Sequence, residues 1–194
     1  DPWKAYQVGD LATLFRLETR LTARSEQLDV AKVLAGKSTA DEMMATLKAF
    51  HDGAWADPAR QMMGAAQEAW LADGLKASTR AGTRWQVLVQ QVLMGNLSTP
   101  TGLADALPKS MPDALRQRLV AGSMASAAGI PFNMDAWDGY PAARKRVFDA
   151  ALAADANLVV LAGDTHNGWA FDLAQDGTPV GVEFGVCSVT SPGF

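Results

Sequence analysis

The chain has 194 residues, 48% of them hydrophobic and 20% charged, and carries a formal net charge of −4. That apolar mass is enough for a real core and fits one globular domain over residues 1–194, while the acidic balance gives no electrostatic footprint for nucleic acid. A lone cysteine, Cys187, excludes an internal disulfide, and no apolar run approaches the roughly 18 residues of a membrane span.

The N-terminal DPWKAYQVGD lacks the basic and apolar regions of a signal peptide. In the segment that follows, Leu11, Leu14 and Phe15 fit a helical period, whereas Phe15, Leu17 and Thr19 alternate as a strand would. TADEMMATLKAFHDG predicts a helix, with Thr39 and Glu42 at capping-box spacing and Gly53 as a stop. A second helix is expected in GAAQEAWLADGLKAS, with Ala66, Trp70, Leu71 and Leu75 as its apolar stripe. RWQVLVQQVLMGN reads as a buried strand around Val87, Leu88 and Val89. Residues 96–111 are rich in turn formers, and Pro112 is placed to open the next helix. A further helix starts near Pro141 with Val147, Phe148 and Leu152 inward. The strand LVVLA follows, and Asp176-Gly177 then predicts a hairpin. Helix–strand, helix–strand and hairpin together predict α/β layers with a mixed sheet.

In such sheets functional groups gather beyond the carboxyl ends of strands. LVVLA runs there into Gly163, Asp164, Thr165 and His166. A carboxylate and an imidazole two residues apart offer a hard oxygen and a borderline nitrogen to iron, zinc or manganese, with Gly163 letting the backbone turn close to an ion. The plainer alternative is a turn-capping aspartate beside a surface histidine. His51 reads as a helix-end cation and Cys187 as a buried, inert thiol. Trp70 and Trp85 read as packing residues. The loop DAWDGY crowds Asp135, Trp137, Asp138 and Tyr140 together, either as a capped helix start or as the wall of a cleft.

VVLAGDTHNGWAFDL followed by GVEFGVCSVTSPG resembles the C-terminal signature of alkaline phosphatase D-like metallophosphatases, in the calcineurin-like phosphoesterase superfamily. YQVGDLATLFRLETR, RQMMGAAQEAWLADGL, RWQVLVQQVLM and DAWDGYPAARKRV match further family segments in family order, with Glu18 where the family usually has aspartate. The resemblance implies part of a calcineurin-like α/β sandwich and hydrolysis of phosphate mono- or diesters at a site holding several metals, calcium and iron among them. It assigns Asp164 and His166 as metal ligands and puts Asn167 beside them at the substrate pocket, to which the cleft-wall reading of DAWDGY adds Asp138 and Tyr140. It further implies a periplasmic or secreted enzyme, of which this chain is a C-terminal portion. An upstream half then supplies the other ligands, and the chain alone is inactive. Two rivals remain: a non-catalytic α/β binding module, and a different metal-dependent hydrolase using Asp135 and Asp138 with Asp164 and His166.

Overall fold

The segment whose sequence carries both periods is a hairpin in the computed structural model, which describes residues 1–100, 102–108 and 110–187. β1 (Lys4–Val8) pairs antiparallel with β2 (Ala12–Arg16), and Gly9 turns the chain at φ +54. The strand period is the one realised, with Phe15, Leu17 and Thr19 buried, while β1 is exposed throughout and shows no alternation. The SVTSPGF end of the family signature lies outside the described residues.

β3 (Trp85–Gln90), β4 (Leu158–Ala162), β5 (Trp169–Gln175) and β6 (Thr178–Gly185) complete a six-stranded sheet of order β1-β2-β3-β4-β6-β5. β2, β3, β4 and β6 run parallel, while β1 and β5 are antiparallel edge strands. The architecture is therefore the expected mixed α/β sheet. The β5–β6 turn sits at Asp176-Gly177, both at positive φ (+50 and +79), as a two-residue hairpin requires.

Six α-helices are described: α1 (Val30–Leu34), α2 (Ala40–Phe50), α3 (Ala65–Arg80), α4 (Leu103–Ala106), α5 (Asp113–Ala127) and α6 (Pro141–Ala153). The α2 capping box is present, with Thr39 accepting from the Glu42 N–H and Glu42 accepting from the Thr39 N–H. Such a cap contributes about 1 kcal/mol. α3 buries Gln67, Leu71, Leu75 and Ser78, one step round from the expected stripe. Ala66 is exposed, and Trp70 meets Phe15 edge-on at 5.8 Å. In α6, Ala151 rather than Leu152 completes the inward face; Leu152 lies about 100° further round and is exposed.

α3 and α6 cover one face of the sheet, and Phe15, Leu71, Leu75, Leu88, Val147, Phe148 and Val160 meet there in the main core. Each fully buried side chain of this size stabilises the fold by about 1.5–3 kcal/mol. A smaller core of Leu47, Phe50, Ala125, Ile130 and Met134 joins α2 and α5 to the loop after α5. The opposite sheet face is apolar over its central strands, with Lys4, Arg16 and Asp172 in the same register rows. Register aligns Tyr6, Leu14, Val87, Val159 and Val182 in one row, and Val89, Leu161, Phe184 and Ala170 in the next. Among the described residues, none of these joins a core cluster, and Phe184 is 47% exposed.

Two packing expectations change. Cys187 is exposed rather than buried, because β6 ends at Gly185 and its alternation no longer has a face to serve. Trp85 opens β3 at the rim, 39% exposed, with the Arg84 guanidinium 5.8 Å from its ring.

Candidate functional site

β2, β3 and β4 are parallel neighbours, so the loops leaving their carboxyl ends emerge side by side. Gln91 joins them. Its backbone carbonyl accepts the N–H groups of Gly163 (3.2 Å) and Asp164 (2.8 Å). Its side chain accepts from the Thr19 N–H and hydroxyl and donates to the Leu17 carbonyl. Gln67 of α3 secures the same exit loop, accepting from the Glu18 N–H and donating to the Glu18 carbonyl.

A small cavity of about 40 Å³ lies among these loops, lined by Arg20, Leu93, Asn133, Asp135, Asp164 and Thr165 with their neighbours. A larger cleft of about 440 Å³ sits at the opposite, amino ends of β3 and β4, around Arg80, Arg84 and Asn157. The smaller one holds the charged residues of the predicted loop and lies at the strand ends where α/β sheets carry function.

Arg20 is its centre. The Nε and Nη2 groups donate to Asp164 Oδ2 at 3.0 and 2.6 Å, and Nη1 donates to Asp135 Oδ1 at 2.7 Å. Arg24 donates to the same Asp135 oxygen at 2.8 Å, to the Asp135 carbonyl at 2.7 Å and to the Tyr140 hydroxyl at 2.9 Å. The Arg24 Nη1 group is buried without a hydrogen-bond partner among the described residues. Burial raises the Asp135 pKa, but the two guanidiniums outweigh it and hold the carboxyl below its ordinary value. Desolvation likewise opposes the charge on Arg20, and the two aspartates reverse that, so its net shift is upward.

Glu18, at the position where the resemblance expects aspartate, folds back on its own loop. Its carboxylate accepts from the N–H groups of Arg20, Leu21 and Thr22 and from the Thr22 hydroxyl. Burial pushes its pKa up, yet these bonds together bring it below the ordinary value. The longer side chain has become a loop cap.

Asp164 is 46% exposed at the cavity and His166 is exposed on the same loop. Gly163 does not supply the turn expected of it: its φ is not positive and a Cβ there would meet open space. His166 makes the turn instead, at φ +62, a left-handed conformation uncommon for a non-glycine residue. Asn167 follows it, half-buried, and the Trp169 indole donates to the Thr165 hydroxyl at 2.6 Å.

Asp138 and Tyr140 lie beneath the cavity, both 0% exposed, and do not face it. Asp138 Oδ1 accepts from Asn96 (2.9 Å) and Arg144 (2.6 Å), and Oδ2 accepts from the Leu97 N–H (2.8 Å). Tyr140 donates to the Ser25 carbonyl and packs near the guanidiniums of Arg24 and Arg60. Glu183, also 0% exposed, accepts the N–H groups of Met94 and Gly95. Two buried carboxylates thus secure residues 94–97, the continuation of the cavity floor. Burial pushes the pKa of both above the ordinary value, against the hydrogen bonds they accept.

His51 plays no part here; it stacks on Trp55 at 4.6 Å and pairs with Asp52. Of the residues singled out in the sequence, Asp135, Asp164, His166 and Asn167 share this end of the sheet. Arg20, Arg24, Gln91 and Glu183 were not singled out. The signal for Glu183 was present as a carboxylate inside the apolar run GVEFG.

A mixed α/β sheet with a charged cavity beyond its parallel strand ends is the architecture in which this chain meets a known family. A model described as PhoD-like phosphatase matches residues 1–194, and the chain belongs to that family. Alkaline phosphatase D of Bacillus subtilis (strain 168) is 34% identical over 143 residues, covering 71% of this chain and 20% of the relative. A solved structure of PhoD superposes with a TM-score of 0.62 at 27% identity, covering 97% of this chain and 29% of the other. The chain therefore spans about a fifth of the curated relative's length.

Proposed function

We propose that the chain supplies the Asp164–His166 loop of a metal-dependent phosphoesterase that hydrolyses phosphate mono- or diesters. The observation that carries this reading is the meeting of the loops after β2 and β4 with the loop between α5 and α6, which brings Asp164 and Asp135 onto the Arg20 guanidinium. Family membership supplies the reaction class.

The donors fit a metal in kind. Carboxylate oxygen suits calcium, and carboxylate with imidazole suits iron. They do not fit in number: a catalytic metal usually takes three protein ligands, and the described residues contain no group of three metal-type side chains. In this reading Asp164 and His166 hold calcium and iron together with ligands from an upstream segment, and the chain alone is inactive. Metal ions held there would lower the pKa of a bound water and offset charge on the phosphoryl oxygens. The apolar sheet face outside the core clusters supports a further layer, since an apolar face of that extent calls for a cover.

Within the chain, Asn167 lines the substrate pocket while Asp138 and Tyr140 hold it from below. The resemblance adds a periplasmic or secreted location. A non-catalytic binding module is the second reading, favoured by the ion pair that already occupies Asp164.

The test is hydrolysis of an aryl phosphate and a bis-aryl phosphate by the full-length protein carrying Asp164→Ala or His166→Ala. Each variant is expected to lose at least about 100-fold in turnover, since changes one shell further out already cost 10–100-fold. Unchanged turnover in both removes the assignment and leaves the binding module.

A further inference from the structure

We propose that the cleft at the amino ends of β3 and β4 is a second binding site, taking the phosphate group of a small ester between Arg80 and Arg84 and a donor group of the same ligand on Asp155. This site needs no metal ion and is independent of the proposed function. The length of β3, six residues or about 20 Å, separates it from the cavity at the carboxyl ends.

The cleft has room and a set shape. Its volume of about 440 Å³ lies in the range of small-molecule sites. The last turn of α3, the turn into β3 and the turn from α6 into β4 form its walls. Gln86, 1% exposed, ties them together. Its amide donates to the Ser78 hydroxyl at 3.0 Å and the Thr83 carbonyl at 2.9 Å, and its oxygen accepts the Asn157 N–H at 2.9 Å. The Asn157 amide closes the ring by donating to the Arg84 carbonyl at 2.9 Å. A ligand therefore meets walls that are already fixed, and binding adds little ordering cost.

Charge selects what enters. Arg20, Arg24, Arg144 and Arg146 each hold a carboxylate. Among the described residues, the guanidiniums of Arg80 and Arg84 have neither a carboxylate nor a hydrogen-bond acceptor, and Arg84 lies only against the Trp85 ring. Two guanidinium forks suit the several oxygens of a tetrahedral phosphate, where one fork already fills a planar carboxylate. Asp155 is the one carboxylate in the lining, held in a left-handed turn at φ +51. The negative ends of α3 and α6 also lie here, although the Thr83 and Ala156 N–H groups cap the Ser78 and Ala151 carbonyls. These groups keep the anion on the arginine side and favour an amino or hydroxyl donor on the rest of the ligand.

The test uses the full-length protein labelled with 5-fluorotryptophan and followed by fluorine NMR. Trp85, 5.8 Å from the Arg84 guanidinium, reports on this cleft, and Trp169, bonded to Thr165, reports on the opposite end. Trp85→Phe and Trp169→Phe assign the two resonances. The probes are methylphosphonate and 2-aminoethylphosphonate, whose P–C bonds a phosphoesterase leaves intact, with acetate at equal ionic strength as the control. Both phosphonates are expected to shift Trp85 saturably, 2-aminoethylphosphonate about threefold more tightly through its amino group on Asp155. Arg80→Gln and Arg84→Gln should each weaken both about fivefold. Asp155→Asn, which keeps the left-handed turn, should abolish the preference for the amino group. A Trp85 resonance that stays still while Trp169 moves, that moves equally with acetate, or that titrates unchanged in both arginine variants overturns the site. Equal affinity for the two phosphonates in the wild type overturns the role of Asp155 and the ligand class with it.

Discussion

Gln91 fixes Asp164 through the backbone: its carbonyl accepts the Asp164 N–H at 2.8 Å, while its side chain grips Thr19 and Leu17 on the loop after β2. Because the backbone half survives substitution, Gln91→Ala should keep the β4 exit loop and release the β2 exit loop. The N–H of Thr19 and the carbonyl of Leu17, both in buried residues, would lose their partners, costing about 2–3 kcal/mol in urea unfolding. A loss under about 0.5 kcal/mol would show that water replaces the side chain.

Glu183 takes the N–H groups of Met94 and Gly95 at 2.8 and 2.7 Å. Glu183→Ala leaves both buried donors unmet, and a cost of about 2–5 kcal/mol is expected in the same measurement. Glu183→Gln should recover only part, since an amide offers one acceptor oxygen where two donors point. Full recovery would mean that the second bond contributes nothing.

Gly95 sits under the Phe171 ring, and a Cβ there would come within 2.3 Å of ring carbon. Gly95→Ala should therefore destabilise by roughly 1–3 kcal/mol through overpacking. Phe171→Leu in the same chain should give back part of that loss, a coupling that a double-mutant cycle on melting temperature resolves.

Acid acts on the two sides of the cavity with opposite sign. Glu18 is held below its ordinary value of 4.5, so its contribution is present above that pH and lost as pH falls through its folded value. The melting-temperature gap between wild type and Glu18→Gln should be widest near neutrality and close below about pH 4.5. Asp138 is raised above its ordinary 3.8, so its contribution is lost as pH rises through its folded value. Wild type should thus gain on Asp138→Asn as the solution is acidified towards 3.8, and a gap that narrows instead would contradict the burial argument.

What the sequence disclosed followed from periodicity and punctuation. The α2 capping box, the Asp176-Gly177 hairpin and the strand ending at Ala162 all came through, because each rests on short-range chemistry, although that strand is buried on one face only, with Leu161 exposed. The β1–β2 hairpin did not, since an all-exposed strand carries no alternation. Gln67 hid the true α3 stripe because a polar residue can be buried when its amide finds backbone partners. Asp138 looked like a cleft residue, but Arg144, Asn96 and Leu97 satisfy it entirely from within. The pairing of Arg20 with Asp164 spans 144 residues of sequence, beyond the reach of local spacing.

The proposed function turns on metal binding by Asp164 and His166. Anomalous scattering from crystals of the full-length protein grown with calcium and iron tests it most directly. Anomalous peaks are expected within about 2.0–2.6 Å of the Asp164 carboxylate and a His166 ring nitrogen, with Arg20 turned from Asp164. Metal peaks elsewhere, with Arg20 still bonded to Asp164, would contradict it.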